Sequence, residues 1–266
     1  MKYFDSLVEK IKQEKIDKEK FMEELKTIKS LEDVDTEDFE NLRLLGLPII
    51  EDKNRLSLQT TSTAIEDQKF CIVDIEANGS KPNEFQIIEI GAVMIQNGVE
   101  IDRFESFVYT DLLPDSITIL TGITLEDLKD APSLSFVLEK FRLFLGDAVF
   151  IAHNVNFDYN FISASMQKAG FGPLLNRKLC TIELSKKSFI AQKYGLGFLM
   201  EFFDVTFGEQ HRALVDARMA DYVFKQCLSC LSKEIQTTEE LIEFSRPPKK
   251  KRKKKKHNQT SRQTIV

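Results

Sequence analysis

Cysteine and histidine are scarce in this 266-residue chain: four cysteines, at 71, 180, 227 and 230, and three histidines, at 153, 211 and 257. Four scattered cysteines make no disulfide framework, and Cys227-x-x-Cys230 lacks a second pair and sits in an apolar helical pattern. Buried thiols in a reducing compartment are expected there, not zinc ligands. No apolar run approaches the roughly 20 residues of a membrane span, and the opening Met1-Lys2-Tyr3-Phe4-Asp5-Ser6-Leu7 is amphipathic, unlike a leader peptide. A soluble, cytoplasmic protein with no membrane partner is the expectation. Acidic residues are missing after Ser245, where ten of the 37 basic residues lie. The first 245 residues therefore hold 27 basic against 42 acidic side chains, a net charge of −15. A body so acidic does not hold a phosphate backbone by bulk charge; metal ions or the basic end would have to bring nucleic acid in.

What is abundant is apolar residue, 42% of the chain, enough for one sizeable domain and a smaller companion. Residues 1–58 read as a small helical and hairpin unit, in an order that resembles a winged helix. Phe4, Leu7, Val8 and Ile11 share one helical face, as do Phe21, Met22, Leu25 and Ile28, and then Phe39, Leu42 and Leu45 after a Thr36 cap. The segments Pro48-Ile49-Ile50 and Leu56-Ser57-Leu58 flank a polar turn. With 11 basic and 16 acidic residues in 1–66, this unit suits docking to protein better than reading DNA. Residues 59–68 read as a linker, 69–232 as the main domain and 233–266 as a disordered basic tail. Strands are expected at 70–76, 86–95, 101–108, 148–152 and near 178–182. Helices are expected at about 133–145, 156–169, 183–193, 196–203 and 213–231, giving an α/β domain.

Three polar intrusions into this pattern carry chemistry. The strand Phe70-Cys71-Ile72-Val73-Asp74-Ile75-Glu76 ends in two acids on one face, about 6–7 Å apart. Such a pair is solvated, shares a proton or holds a metal ion. A second strand, Val149-Phe150-Ile151-Ala152, runs into His153-Asn154-Val155-Asn156-Phe157-Asp158 at the start of a helix. In the third segment, His211-Arg212-Ala213-Leu214-Val215-Asp216, five helical residues would turn through about 500°. His211 and Asp216 therefore cannot share a helix face, and His211 belongs to the loop before it. Asp74, Glu76, Asp158, Asp216 and His211 together are the parts of a two-metal phosphodiester hydrolase. The acids suit two Mg²⁺ or Mn²⁺ ions, and an imidazole of ordinary pKa near 6.5 suits removal of a proton from water.

These three motifs, with Ile87-Ile88-Glu89-Ile90-Gly91-Ala92, Leu120-Thr121-Gly122-Ile123-Thr124 and His211-Arg212-Ala213, resemble the DEDD exonucleases of the histidine type over about residues 69–230. The likeness is greatest to the epsilon proofreading subunits of bacterial DNA polymerase III and to PolC exonuclease domains. The resemblance implies a ribonuclease-H-like α/β fold with a mixed five-stranded sheet flanked by helices. It implies 3′→5′ hydrolysis of single-stranded or frayed DNA ends to nucleoside 5′-monophosphates, in company with an alpha-type subunit of DNA polymerase III. Asp74, Glu76, Asp158 and Asp216 are the implied metal ligands and His211 the implied base, with substrate contacts at Ile75, Ala77, Thr121, His153 and Asn154. Two rival expectations stand beside it: a free-standing exonuclease of RNA or short oligonucleotides, and a polymerase-interaction subunit with a vestigial nuclease. One departure is plain. Relatives follow D-x-E with Thr-Thr-Gly, whereas this chain has Ala77-Asn78-Gly79, which removes hydroxyls from the loop beside the terminal nucleotide. The basic run from Arg246 to Lys256 is a solubilising tail, a DNA tether, a polymerase-docking extension or, in a eukaryotic host, a nuclear import signal.

Overall fold

The computed structural model describes residues 2–32, 34, 38–208 and 211–247. In chain order the smaller unit is α1 (Lys2–Gln13), β1 (Ile16–Asp17), α2 (Lys18–Lys26), α3 (Phe39–Leu44), β2 (Ile49–Asp52) and β3 (Arg55–Leu58), with a three-stranded antiparallel sheet in the order β1-β3-β2. The β2–β3 turn uses Lys53 and Asn54, both at positive φ (49° and 65°), the handedness that a two-residue hairpin needs. The predicted faces of α1 and α2 do fill a core, joined by Leu47, Ile49, Leu56 and Leu58 and by Leu175 of the larger unit. Thr36 lies outside the described residues. Asp38 caps α3 instead, accepting from Glu40 N at 2.9 Å.

The larger unit continues with β4 (Phe70–Ala77), β5 (Ile87–Gln96), β6 (Val99–Phe107), α4 (Asp115–Thr121), α5 (Leu125–Leu128), α6 (Leu134–Leu145), β7 (Val149–Ala152), α7 (Val155–Lys168), β8 (Lys178–Cys180), α8 (Thr181–Ser188), α9 (Leu196–Phe202) and α10 (Ala213–Ser229). Its sheet runs β6-β5-β4-β7-β8, antiparallel through β4-β5-β6 and parallel through β4-β7-β8, the mixed five-stranded sheet that was expected. Strand β4 is buried on both faces because helices cover both. Val73 and Ile75 pack with α6 and α7, while Phe70 and Ile72 pack with α8, α9 and α10. The parallel pairing of β4 with β7 brings the C-terminal ends of these two strands to one edge, where α7 begins.

Three expectations need correction. The presumed linker is packed: a 3₁₀ turn at Gln59–Thr61 buries Thr60, whose hydroxyl donates to Glu239 at 2.8 Å, and Ala64 bridges Thr237. Residues 233–247 are not part of a disordered tail, because α11 (Thr238–Ser245) starts from a Thr237/Glu240 capping box and buries Leu241 and Ile242. Its Glu239 also meets Arg177 in a buried ion pair. The basic run from Lys249 lies outside the described residues. Finally, α8 stops at Ser188 instead of reaching 193, since Phe189 is fully extended (φ −152°, ψ 164°). Helices α4 and α5 were not anticipated, although the Thr124-x-x-Asp127 capping box of α5 is legible in the chain.

Candidate active site

The carboxyl-bearing end of β4 is shaped by its neighbour β5. Asp74 stands opposite Gly91 and Glu76 opposite Glu89, so both acids and Glu89 project from one face, and a bulge follows at Glu76/Ala77. Gly91 is obligatory here. A Cβ at that position would come within 2.1 Å of Leu214 N and 2.2 Å of Ala213 C, so its absence lets the first turn of α10 lie directly on β5. That turn carries Asp216.

His211 lies before α10 in the left-handed region (φ 63°), as the spacing argument required, and its side chain is exposed. Its backbone N–H donates to Asp216 Oδ2 at 3.1 Å, while Asp216 Oδ1 is buried with no hydrogen-bond partner. Glu76, His211 and Asp216 each bring one ligand atom within 4.8 Å of the others. Asp74 and Asp158 stand outside that closest group yet in the same electrostatic field. Asp158, at the first turn of α7 and 3% exposed, accepts from Ile75 N at 3.3 Å, which ties α7 to β4 between the two β4 acids.

Every one of these carboxyls is held above its ordinary range. Burial is the largest cause for Asp74, followed by the charges of Asp158, Asp216, Glu76 and Glu89. Burial likewise leads for Glu76, pushed up to about 8, with Asp216 and Glu89 adding to it and Arg212 opposing. Asp158 is raised by burial against two backbone hydrogen bonds, and Asp216 by burial against its bond from His211. Acids that resist ionisation together, one with an orphaned buried oxygen, fit a cation in their midst. Oxygen ligands of this kind suit Mg²⁺ or Mn²⁺.

The expected substrate residues divide. Asn154 is exposed in the left-handed region (φ 86°) at the start of α7, beside exposed Phe157, and Ala77 is half-buried at the bulge. Ile75 offers little, since its side chain is in the core and its N–H is used. Thr121 is also turned inward: its hydroxyl donates to Ile117 O at 2.9 Å and accepts from Ile123 N at 3.2 Å, fixing the turn at Gly122. His153 has both ring nitrogens engaged, Nδ1 with Thr181 Oγ1 and Nε2 with Tyr194 O, each at 2.8 Å. A carbonyl only accepts, so Nε2 carries the proton. Burial pushes this imidazole down to about 4, and it is a neutral strut between β7 and the 189–195 loop.

Three residues take roles that the sequence did not assign to them: Asn78, Glu89 and Arg212. Asn78 takes the place of a hydroxyl residue and braces the loop internally. It donates to Leu112 O and accepts from Gln86 N, both at 2.8 Å. Glu89 is 1% exposed and takes a forked pair of bonds from Arg212. A lone acid in the apolar run Ile87-Ile88-Glu89-Ile90 was the available signal. A cavity of about 830 Å³ lies on the other side of α7, between α1, β8 and α11; its lining includes Asn154 but none of the acids above.

With four acids and a histidine gathered at the ends of β4, α7 and α10, the comparison with known proteins is informative. The sequence model of an exonuclease family, RNase_T, matches residues 71–224. The chain belongs to this exonuclease family. Its motifs place it in the histidine-type DEDD group of that family, whose members are metal-dependent. The PolC-type DNA polymerase III of Staphylococcus epidermidis is 35% identical to it over 178 residues, which is 66% of this chain and 12% of the polymerase. That of Staphylococcus aureus gives the same figures. The exonuclease thus spans about an eighth of the length of these relatives. Among solved structures, E. coli exonuclease I in complex with a dT13 oligonucleotide has a TM-score of 0.56 at 12% identity, covering 62% of this chain and 42% of that one. A complex of the same enzyme with dA16 gives 0.58 at 12% identity, covering 67% and 43%. At that identity the likeness is one of fold. Among the described residues no helix is long and apolar enough to cross a membrane.

Proposed function

We propose that this exonuclease removes nucleotides from single-stranded or frayed DNA 3′ ends as nucleoside 5′-monophosphates, and that it proofreads beside an alpha-type subunit of DNA polymerase III. The observation that carries the reading is the grouping of Glu76, His211 and Asp216 within 4.8 Å, flanked by Asp74 and Asp158 in one raised-pKa field. Asp74, Glu76, Asp158 and Asp216 would hold two Mg²⁺ or Mn²⁺ ions. Bound divalent cations supply the positive charge that offsets the phosphodiester and the charge growing on it during in-line displacement.

The chain's own groups do the rest. His211, exposed on its loop and free of side-chain hydrogen bonds among the described residues, accepts the proton of the attacking water. Its backbone bond to Asp216 keeps the imidazole beside the acids. Asn154 is exposed at the start of the helix whose first turn carries Asp158, and Ala77 follows Glu76 at the bulge, which supports a role in seating the terminal nucleotide. Thr121 and His153 act behind them, holding the Gly122 turn and the 189–195 loop in place. The PolC relatives support a replicative partner and, being bacterial, a cytoplasmic location.

The deciding experiment digests matched and 3′-mismatched DNA primers, with RNA of the same sequence in parallel, in Mg²⁺ or Mn²⁺ and in chelator. The expected result is release of monophosphates from the 3′ end of DNA, fastest at mismatches, abolished by chelator and by Asp74→Ala in a folded protein. Equal digestion of RNA would replace proofreading by general end-trimming. Full activity of Asp74→Ala would remove the site assignment.

A further inference from the structure

Glu89 presents a physical puzzle. It is a fully buried carboxylate placed opposite Glu76, in a site already crowded with four acids. A buried ion pair is weak evidence for stability, and an apolar residue of similar size would serve the core as well or better. Its bonds show another use. Glu89 Oε1 accepts from Arg212 Nη2 at 3.0 Å and Nε at 3.2 Å, and Oε2 accepts from Ala213 N at 3.1 Å. The last of these caps an open N–H of α10, for which Arg212, at the cap position, provides no side-chain bond. The guanidinium also lies over the Phe107 ring, 5.2 Å from its centroid, and is half-exposed.

With three donors on it, this carboxylate is spoken for, and those donors belong to the two residues that follow His211. We propose that Glu89 and Arg212 are positioning residues: together with the Cβ-free Gly91, they clamp the start of α10 to β5 so that His211, the residue just before the clamped pair, is held at the working end of β4. This rests on the reading of His211 as the base. A planar fork fixes orientation as well as distance, which a single ammonium contact does not. The left-handed backbone of His211 needs such external support, since a non-glycine residue there is disfavoured.

The test is a kinetic cycle on the full chain with Mn²⁺ and the p-nitrophenyl ester of thymidine 5′-monophosphate, comparing wild type, Glu89→Gln, Arg212→Lys, His211→Ala and the doubles of His211→Ala with each of the first two. A displaced base costs turnover, not binding. Glu89→Gln should lower kcat by about 100-fold and Arg212→Lys by about 10-fold, with KM within about threefold of wild type. Added to His211→Ala, neither should cost more than about threefold further, because the group they position is gone. Losses that multiply with His211→Ala, or that fall on KM alone, would overturn the clamp. Should Glu89→Gln not fold, Arg212→Lys at a half-exposed position decides by the same criteria. Wild-type turnover in His211→Ala would remove the base, and the clamp's purpose with it. Absence of Mn²⁺-dependent turnover in the wild type would instead refute the proposed function.

Discussion

Neutralising Glu76 should stabilise the metal-free protein at alkaline pH and destabilise the metal-loaded one. In the folded chain burial and neighbouring charges hold this carboxyl up to about 8, against an ordinary 4.5. The unfolded chain gives up its proton near 4.5 and the folded chain only near 8. Between those values the unfolded state binds fewer protons, so folding stability falls as pH rises. The full effect at pH 8 would be about 4–5 kcal/mol. Glu76 is only half-buried, and its neighbours can take up part of the shared proton load, so about 2 kcal/mol is the working figure. Glu76→Gln removes the charge and keeps the shape. In chelator at pH 8 it should raise Tm by about 4–8 °C, and at pH 4.5 by almost nothing. Saturating Mn²⁺ should reverse the order, since wild type gains about 2.7 kcal/mol at a hundredfold excess over Kd and the variant has lost a ligand. Thermal unfolding followed by circular dichroism at the two pH values, with and without metal, makes the comparison. A variant that is no more stable than wild type in chelator at pH 8, or equally stabilised at pH 4.5, would refute the picture of acids held together against their mutual repulsion.

Other perturbations separate the site from its frame. Gly91→Ala should cost more activity than stability, since the added methyl meets the backbone of Ala213 and Leu214 and must lift the start of α10; an active variant would show that helix placement is not critical. Glu239→Ala leaves Arg177 and Thr60 without their buried partner and should lower stability by about 3–5 kcal/mol, measured by urea unfolding, with the kcat of the folded fraction unchanged. Leu241→Ala should cost about 2–5 kcal/mol by the same measurement. Removal of residues 249–256 takes away eight basic side chains. If they grip single-stranded DNA, log affinity should become less steep in log salt by about 5–6, and an unchanged slope would make them a passive extension.

How much of this was legible in the sequence follows from the kind of signal each part emits. Strand β4 and its two acids were readable because period-2 geometry fixes which side chains share a face, whatever the tertiary context. His211 was placed on a loop by helix geometry alone. Asp158 needed the other two motifs beside it, since an acid in the first turn of a helix has an ordinary explanation. Several of the failures depend on the folded context. Thr121 and His153 look like polar residues bound for a ligand, but their partners, Ile117, Ile123, Thr181 and Tyr194, are set by folded packing. The segment 233–247 was grouped with the basic end on composition, although Leu241 and Ile242 carried enough apolar surface for a helix to dock. Glu89 is the instructive miss. A lone acid in an otherwise apolar strand is too costly to bury without a partner. Its presence in Ile87-Ile88-Glu89-Ile90 therefore announces that a cation must arrive from elsewhere in the chain, although only the fold shows that the cation is Arg212, 123 residues away. The general lesson is that a buried charge met in a sequence is best read as half of an interaction, with the search for its other half directed first at the basic residues bordering the catalytic motifs.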